Sequence, residues 1–313
     1  MGDNLSLLQP VTQFSHLHFL SKPEGRIKHA TGVAYLSPGT FMKPMQLISW
    51  SGTTLLTLAL IMGGATSELF AQREARDNEY AVNDPRVQHR SYVMDDTGET
   101  LPYGLFIPTS YDPAKPIPLM VSLHGAGRQY DWLMNYAGFL DLAEQHEYVV
   151  VTPLGYTRRG GYGYRGNSTQ DQLAEQDVMN VLRMVTDELN IDEHRIYLWG
   201  HSMGGAGTYY LASRYPDTWA GLAAVAGGSL TADYVDAQAI RHIPFLVIQG
   251  TDDQTVPVAG ARSSVKRMQE LGMQHLYIEI PGGDHSLFIS RDPEVVEHLF
   301  SFFNLVAKPH THP

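Results

Sequence analysis

The chain of 313 residues contains no cysteine. That absence excludes a disulfide framework, thiolate zinc and iron–sulfur sites, a cysteine nucleophile and a lipidated cysteine. Basic residues are few, 22 Lys and Arg against 33 Asp and Glu, for a formal net charge of −11. A general nucleic-acid binder needs a basic footprint, so no nucleic-acid partner is expected. Metal motifs are missing too, with neither H-E-x-x-H nor EF-hand spacing. No G-x-G-x-x-G stands at a strand–helix junction. No metal, dinucleotide or other cofactor is therefore expected. Internal repeats are also lacking.

Only one long apolar run occurs, at residues 47–65, and it carries no charge. Lys43 precedes it, and small and polar residues follow it up to Ala71. Residues 42–71 read as a secretory signal peptide, with Ala71 or Ala65 as the exit. A run of about 19 residues is marginal for a bilayer span, so an uncleaved anchor or a core helix is the alternative. Residues 1–41 have no period and read as an upstream extension that adds nothing to the fold. The expectation is a secreted or periplasmic protein that begins near Gln72 and keeps no stable membrane association. Residues 72–87 read as a polar linker, 88–307 as one domain and 308–313 as a tail.

Inside that domain, apolar patterning alternates over 89–94 and 101–108 around the turn residues Asp95-Asp96-Thr97-Gly98-Glu99, as in an antiparallel hairpin. Continuous apolar runs at 117–123 and 148–153 predict strands buried on both faces. Further strands are expected at 194–200, 219–226, 244–249 and 276–281. Helical spacing falls at 131–145, 173–189, 203–214, 258–271 and 293–306. This alternation predicts an α/β fold, a mostly parallel sheet with helices on both faces and a hairpin at its start. Ligands of such sheets bind at the carboxyl ends of the strands.

Three loops at such ends carry chemistry. Gly200-His201-Ser202-Met203-Gly204-Gly205 joins a strand to a helix. G-x-S-x-G alone is a weak signal, but a strand-to-helix turn lifts the Ser202 hydroxyl above the sheet. A serine needs a base to take its proton. His285, in Gly282-Gly283-Asp284-His285-Ser286 after the last strand, fits that need. His124 and His201 are motif neighbours, and the other histidines from residue 88 onward lie at element edges, in the last helix or in the tail. The imidazolium then needs an orienting carboxylate. Asp253 is preferred over Asp252, because Val256-Pro257 closes the loop beneath it. The order Ser202, Asp253, His285 is the chain order this fold requires. Backbone N–H groups of Met203 and Ala126 are the expected oxyanion donors, with Gly127 as runner-up to Ala126. The loop 156–165, rich in Tyr, Gly and Arg, should border the site. Its tyrosines offer faces to an aromatic acyl group and its arginines a partner for a carboxylate. Gly127, His201, Tyr162 and Tyr164 are the candidate substrate contacts. Glu175 and Asp177 read as acids in the first turn of a helix, where they suit the dipole.

These stretches, with Leu123-His124-Gly125-Ala126-Gly127, Asp192-Glu193-His194-Arg195-Ile196-Tyr197 and Tyr215-Pro216-Asp217, resemble the α/β-hydrolases of the polyhydroxybutyrate-depolymerase-like and feruloyl-esterase-like group. That group grades into prolyl-oligopeptidase-like hydrolases. The resemblance covers residues 101–303. It implies a serine carboxylic-ester hydrolase acting through an acyl-enzyme on phenolic, small acyl or polyester substrates. The chain departs from the group in lacking the cysteines of many secreted members, and it shows no polymer-binding module. A peptidase is one rival, although such enzymes carry a gating domain for which the chain has no room. Acyl transfer to an alcohol and a non-catalytic binding protein on the same scaffold are the others. The residues do not define an oligomeric state.

Overall fold

The computed structural model describes residues 82–309. The expected extension at 1–41 and signal peptide at 42–71 lie outside the described residues. So do most of the linker and the last four residues of the tail. Among the described residues, no helix is long and apolar enough to cross a membrane.

The hairpin forms as patterned, from β1 (Val87–Val93) and β2 (Thr100–Phe106). The other strands are β3 (Ile117–Leu123), β4 (Val149–Pro153), β5 (Ile191–His201), β6 (Gly221–Val225), β7 (Phe245–Gly250) and β8 (His275–Ile280). They make one eight-stranded sheet in the order β1-β2-β4-β3-β5-β6-β7-β8. The pairs β1–β2 and β2–β4 are antiparallel, and the remaining pairs are parallel. The helices are α1 (Phe139–Gln145), α2 (Thr169–Glu188), α3 (Met203–Arg214), α4 (Val258–Glu270), α5 (Leu287–Ser290) and α6 (Pro293–Leu305). This is the α/β-hydrolase fold.

Strands β3, β4, β6 and β7 are buried on both faces, which explains their unbroken apolar runs. Side chains alternate across β3, so Leu119, Val121 and Leu123 join one core with Val178, Val181 and Val185 of α2 and Tyr209 and Leu211 of α3. Met120 points to the other core, with Phe139 of α1 and Leu299, Phe300 and Phe303 of α6. Truncating a buried aromatic such as Phe300 removes about 3–5 kcal/mol.

Three expectations need correction. The helical spacing at 131–145 yields a 3-10 turn, Trp132–Asn135, and then α1, because Gly138 adopts a left-handed φ of 75° between them. Helix α2 begins four residues earlier than expected, at a capping box in which the Ser168 side chain and Asp171 exchange hydrogen bonds with each other's backbone N–H. Glu175 and Asp177 therefore lie beyond the first turn. They are structural for another reason, as buried acceptors described below. The domain also takes in the end of the expected linker. Val82 is buried, and its N–H donates to Asp131 Oδ2 at 3.0 Å. At the other end Lys308 is tied back by its N–H to the His194 carbonyl at 3.0 Å, and its Nζ donates to the Asp217 and Thr218 carbonyls.

Candidate active site

The turn from β5 into α3 packs tightly against β3. A Cβ on Gly204 would sit 1.9 Å from the Leu123 carbonyl oxygen, so glycine alone lets α3 start so close to β3. Ser202, at the apex, holds φ 58° and ψ −115°. A side chain in that region costs about 1–3 kcal/mol and persists only where neighbours over-determine it. Here the Ser202 N–H donates to the Val225 carbonyl at 2.9 Å, and its own carbonyl accepts from Ala206 N–H at 3.1 Å.

His285 reaches the apex from the loop after β8. Its Nε2 is 2.8 Å from Ser202 Oγ, and its Nδ1 is 2.8 Å from Asp253 Oδ2. The acid loop after β7 and the histidine loop are tied together. Asp252 N–H donates to the Gly283 carbonyl at 2.9 Å, and Gly282 N–H to Thr251 Oγ1 at 2.8 Å. Asp253 is buried and fully engaged. Its Oδ1 accepts from the Thr255 and Val256 N–H groups at 2.8 Å each, and its Oδ2 also accepts from Gln249 Nε2 at 2.9 Å. Burial works against its charge, but the His285 hydrogen bond and the two backbone amides outweigh burial and hold the carboxyl below its usual range. Asp252 is exposed, and its Oδ1 accepts from the Thr251 hydroxyl at 3.1 Å rather than from His285. The structure thus brings Ser202, His285 and Asp253 together and leaves Asp252 on the turn. A hydroxyl, an imidazole and a carboxylate in this series can generate a nucleophile and stabilise the imidazolium that results.

Next to Ser202 runs the loop after β3. A Cβ on Gly125 would be 3.6 Å from Ser202 Cβ. Gly127 N–H is taken by the Arg158 carbonyl at 2.6 Å, which removes it as an oxyanion donor. Ala126 is exposed beside it, and Met203 opens α3, where a first-turn N–H has no intrahelical acceptor.

Two expected substrate contacts are corrected by their burial. Tyr162 is fully buried, and its hydroxyl donates to the His124 carbonyl at 3.1 Å, so it braces the loop from below. His201 is also fully buried. Its Nε2 donates to the His285 carbonyl at 2.7 Å, its Nδ1 accepts from the Tyr136 hydroxyl, and its ring stacks on Trp132 at 5.3 Å. Burial drives its pKa down to about 3, so it is neutral and its tautomer follows from these partners. It positions the histidine loop and cannot reach a substrate. Tyr164 is half-buried, with its ring 5.2 Å from that of Tyr234. His124 is buried between the Gly125 and Leu154 carbonyls at 2.8 Å each and braces the loop.

Gln249, Tyr136 and Trp132 support the site without having been singled out in the sequence. Only Gln249 had a signal, a polar side chain closing an apolar strand run just before the acid loop. Among the described residues, no three His, Asp or Glu side chains gather closely enough to hold a metal ion.

The family profile for serine aminopeptidases of the S33 type matches residues 114–238. That is under half of the chain, and it includes Ser202 but neither Asp253 nor His285. A bifunctional acetylxylan esterase/xylanase of Neocallimastix patriciarum is 31% identical over 139 residues, which is 44% of this chain and 20% of that protein. A probable feruloyl esterase C of Aspergillus flavus is 26% identical over 191 residues, 59% of this chain and 67% of that protein. The alignments thus span from a fifth to two thirds of these relatives. Among solved structures, a thermostable esterase is 27% identical with a TM-score of 0.57, covering 71% of this chain and 64% of its own.

Proposed function

We propose that this chain, an α/β-hydrolase, is a serine carboxylic-ester hydrolase that works through an acyl-enzyme. The observation that carries the reading is the Ser202–His285–Asp253 hydrogen-bonded series, its two links 2.8 Å each, built on a strained strand-to-helix turn. Ser202 Oγ attacks the ester carbonyl carbon while His285 Nε2 takes the hydroxyl proton. Asp253 holds Nδ1–H and stabilises the imidazolium. The carbonyl oxygen becomes an oxyanion held by the Ala126 and Met203 N–H groups. The C–O bond to the alcohol then breaks, and His285 returns the proton to the leaving alcohol. Water, deprotonated by His285, attacks the acyl-enzyme and releases the acid, and the proton passes back to Ser202.

Acetyl and feruloyl esters, the chemistry named by the two relatives above, are the first substrates to try. The family profile names a peptidase instead, so amides are the second reading. The purified protein should turn over 4-nitrophenyl acetate and methyl ferulate and leave aminoacyl-4-nitroanilides untouched. Faster cleavage of the anilides would move the activity to peptides.

Export belongs to the same proposal, on the basis of the apolar run at 47–65. Amino-terminal sequencing of secreted protein should read from near Gln72. A start at Met1 or Met42 in a membrane fraction would contradict it.

A further inference from the structure

The domain is acidic, yet the loop 156–165 holds Arg158, Arg159 and Arg165 and no acid. It is fastened to the loop beside Ser202 by the Gly127 N–H to Arg158 carbonyl bond. Arg159 is exposed, and its guanidinium lies over Gly127, with Nη2 3.0 Å from where a Cβ would stand. Arg165 is exposed on the other side. Its Nη2 is 3.8 Å from Met203 Sδ, and its guanidinium lies over the Tyr164 ring at 5.6 Å. Arg159 therefore lies against the loop that passes beside Ser202, and Arg165 against Met203, the residue that follows the nucleophile.

Carboxylates around this loop are already committed, Glu99 to the Tyr156 hydroxyl among them. Asp171 is held by the Ser168 side chain and backbone N–H. Glu175 accepts from the Tyr210 and Tyr215 hydroxyls and from Arg214 Nε. Asp177 accepts from the Gly155 and Tyr156 N–H groups and the Tyr92 hydroxyl. None of these acids forms an ion pair with Arg159 or Arg165. The loop consequently presents two guanidinium forks to solvent at the edge of the site. Such forks match the geometry of a carboxylate.

We propose that Arg159 and Arg165 form an anion subsite, so that the preferred ester carries a carboxylate on its acyl or its alcohol part. The inference rests on the ester-hydrolase reading and narrows its substrate class.

Two substrate pairs test it in the full chain. On the acyl side, 4-nitrophenyl hydrogen glutarate is compared with 4-nitrophenyl pentanoate. On the alcohol side, 4-acetoxybenzoate is compared with 4-methylphenyl acetate. In at least one pair the carboxylate ester should have the higher kcat/KM, and its advantage should shrink as salt is raised. Arg159→Gln with Arg165→Gln should lower the anionic-to-neutral ratio about 10- to 100-fold, the range of a charge-assisted hydrogen bond or two. The responding pair tells which side of the ester meets the arginines. No advantage in either pair, or a ratio unmoved by the double substitution, would overturn the subsite while leaving ester hydrolysis standing. Inactivity toward all four esters would overturn the hydrolase reading and the subsite with it.

Discussion

Ser202→Ala should abolish ester hydrolysis, with kcat falling by about 10⁴-fold or more, while the protein stays folded. The two effects separate for a structural reason. Ser202 Oγ hydrogen-bonds His285 Nε2. What holds the turn is backbone, the Ser202 N–H to Val225 and the Ser202 carbonyl to Ala206 N–H. Alanine keeps the Cβ and with it the same positive φ, so the strain is unchanged and the melting temperature should move by only a few degrees. Ser202→Gly provides a control on that statement. It should be as inactive, and no less stable than Ser202→Ala, because glycine accepts φ 58° without strain. Wild-type turnover by a folded Ser202→Ala protein would remove the serine from the mechanism.

Asp253→Asn should reduce kcat by up to about 10⁴-fold, through the tautomer of His285. Oδ1 of Asp253 faces two backbone N–H groups, from Thr255 and Val256, so that position must remain an oxygen in the variant. The new NH₂ then takes the place of Oδ2, opposite His285 Nδ1 and the Gln249 amide donor. As a donor it forces Nδ1 to accept, which places the ring proton on Nε2. An Nε2 that already carries a proton cannot take one from Ser202. The meeting of two donors, the new NH₂ and the Gln249 amide, should also lower stability by about 1–3 kcal/mol. Asp252→Asn alters a side chain bonded to the Thr251 hydroxyl and should change kcat little. Kinetics of the two purified variants decide the assignment. A larger loss in Asp252→Asn would transfer the acid role to that residue.

The layout of the site was readable because each of its loops follows an apolar strand run. The 203–214 helical pattern begins one residue after Ser202, and the observed α3 has those limits. The central parallel strands were readable because burial on both faces leaves runs with no polar interruption, whereas the hairpin was readable from its alternation. Side-chain destinations were less readable. The neighbourhood of Ser202 does not reveal that His201 turns inward, because its partners Tyr136 and His285 are 65 and 84 residues away. Tyr162 lies in a segment whose composition suggests a solvated loop, yet its hydroxyl finds a carbonyl acceptor in the core and the ring is buried with it. Helical spacing at 131–145 was real on both sides of Gly138, but spacing does not report the φ at which a glycine breaks the helix. Asp177 looked like a dipole partner, and its buried bonds to Gly155 and Tyr156 depend on a contact between α2 and the loop after β4 that no local pattern encodes.

The most direct test of the central claim is to identify the nucleophilic atom. The protein is incubated with a fluorophosphonate, which transfers its phosphoryl group to an activated serine with loss of fluoride, and the modified peptide is mapped by mass spectrometry. Residual activity on 4-nitrophenyl acetate is followed in the same samples. The account predicts one adduct, on Ser202, with activity lost in proportion to its occupancy. Complete inactivation with Ser202 unmodified, or full activity with Ser202 fully labelled, would contradict it.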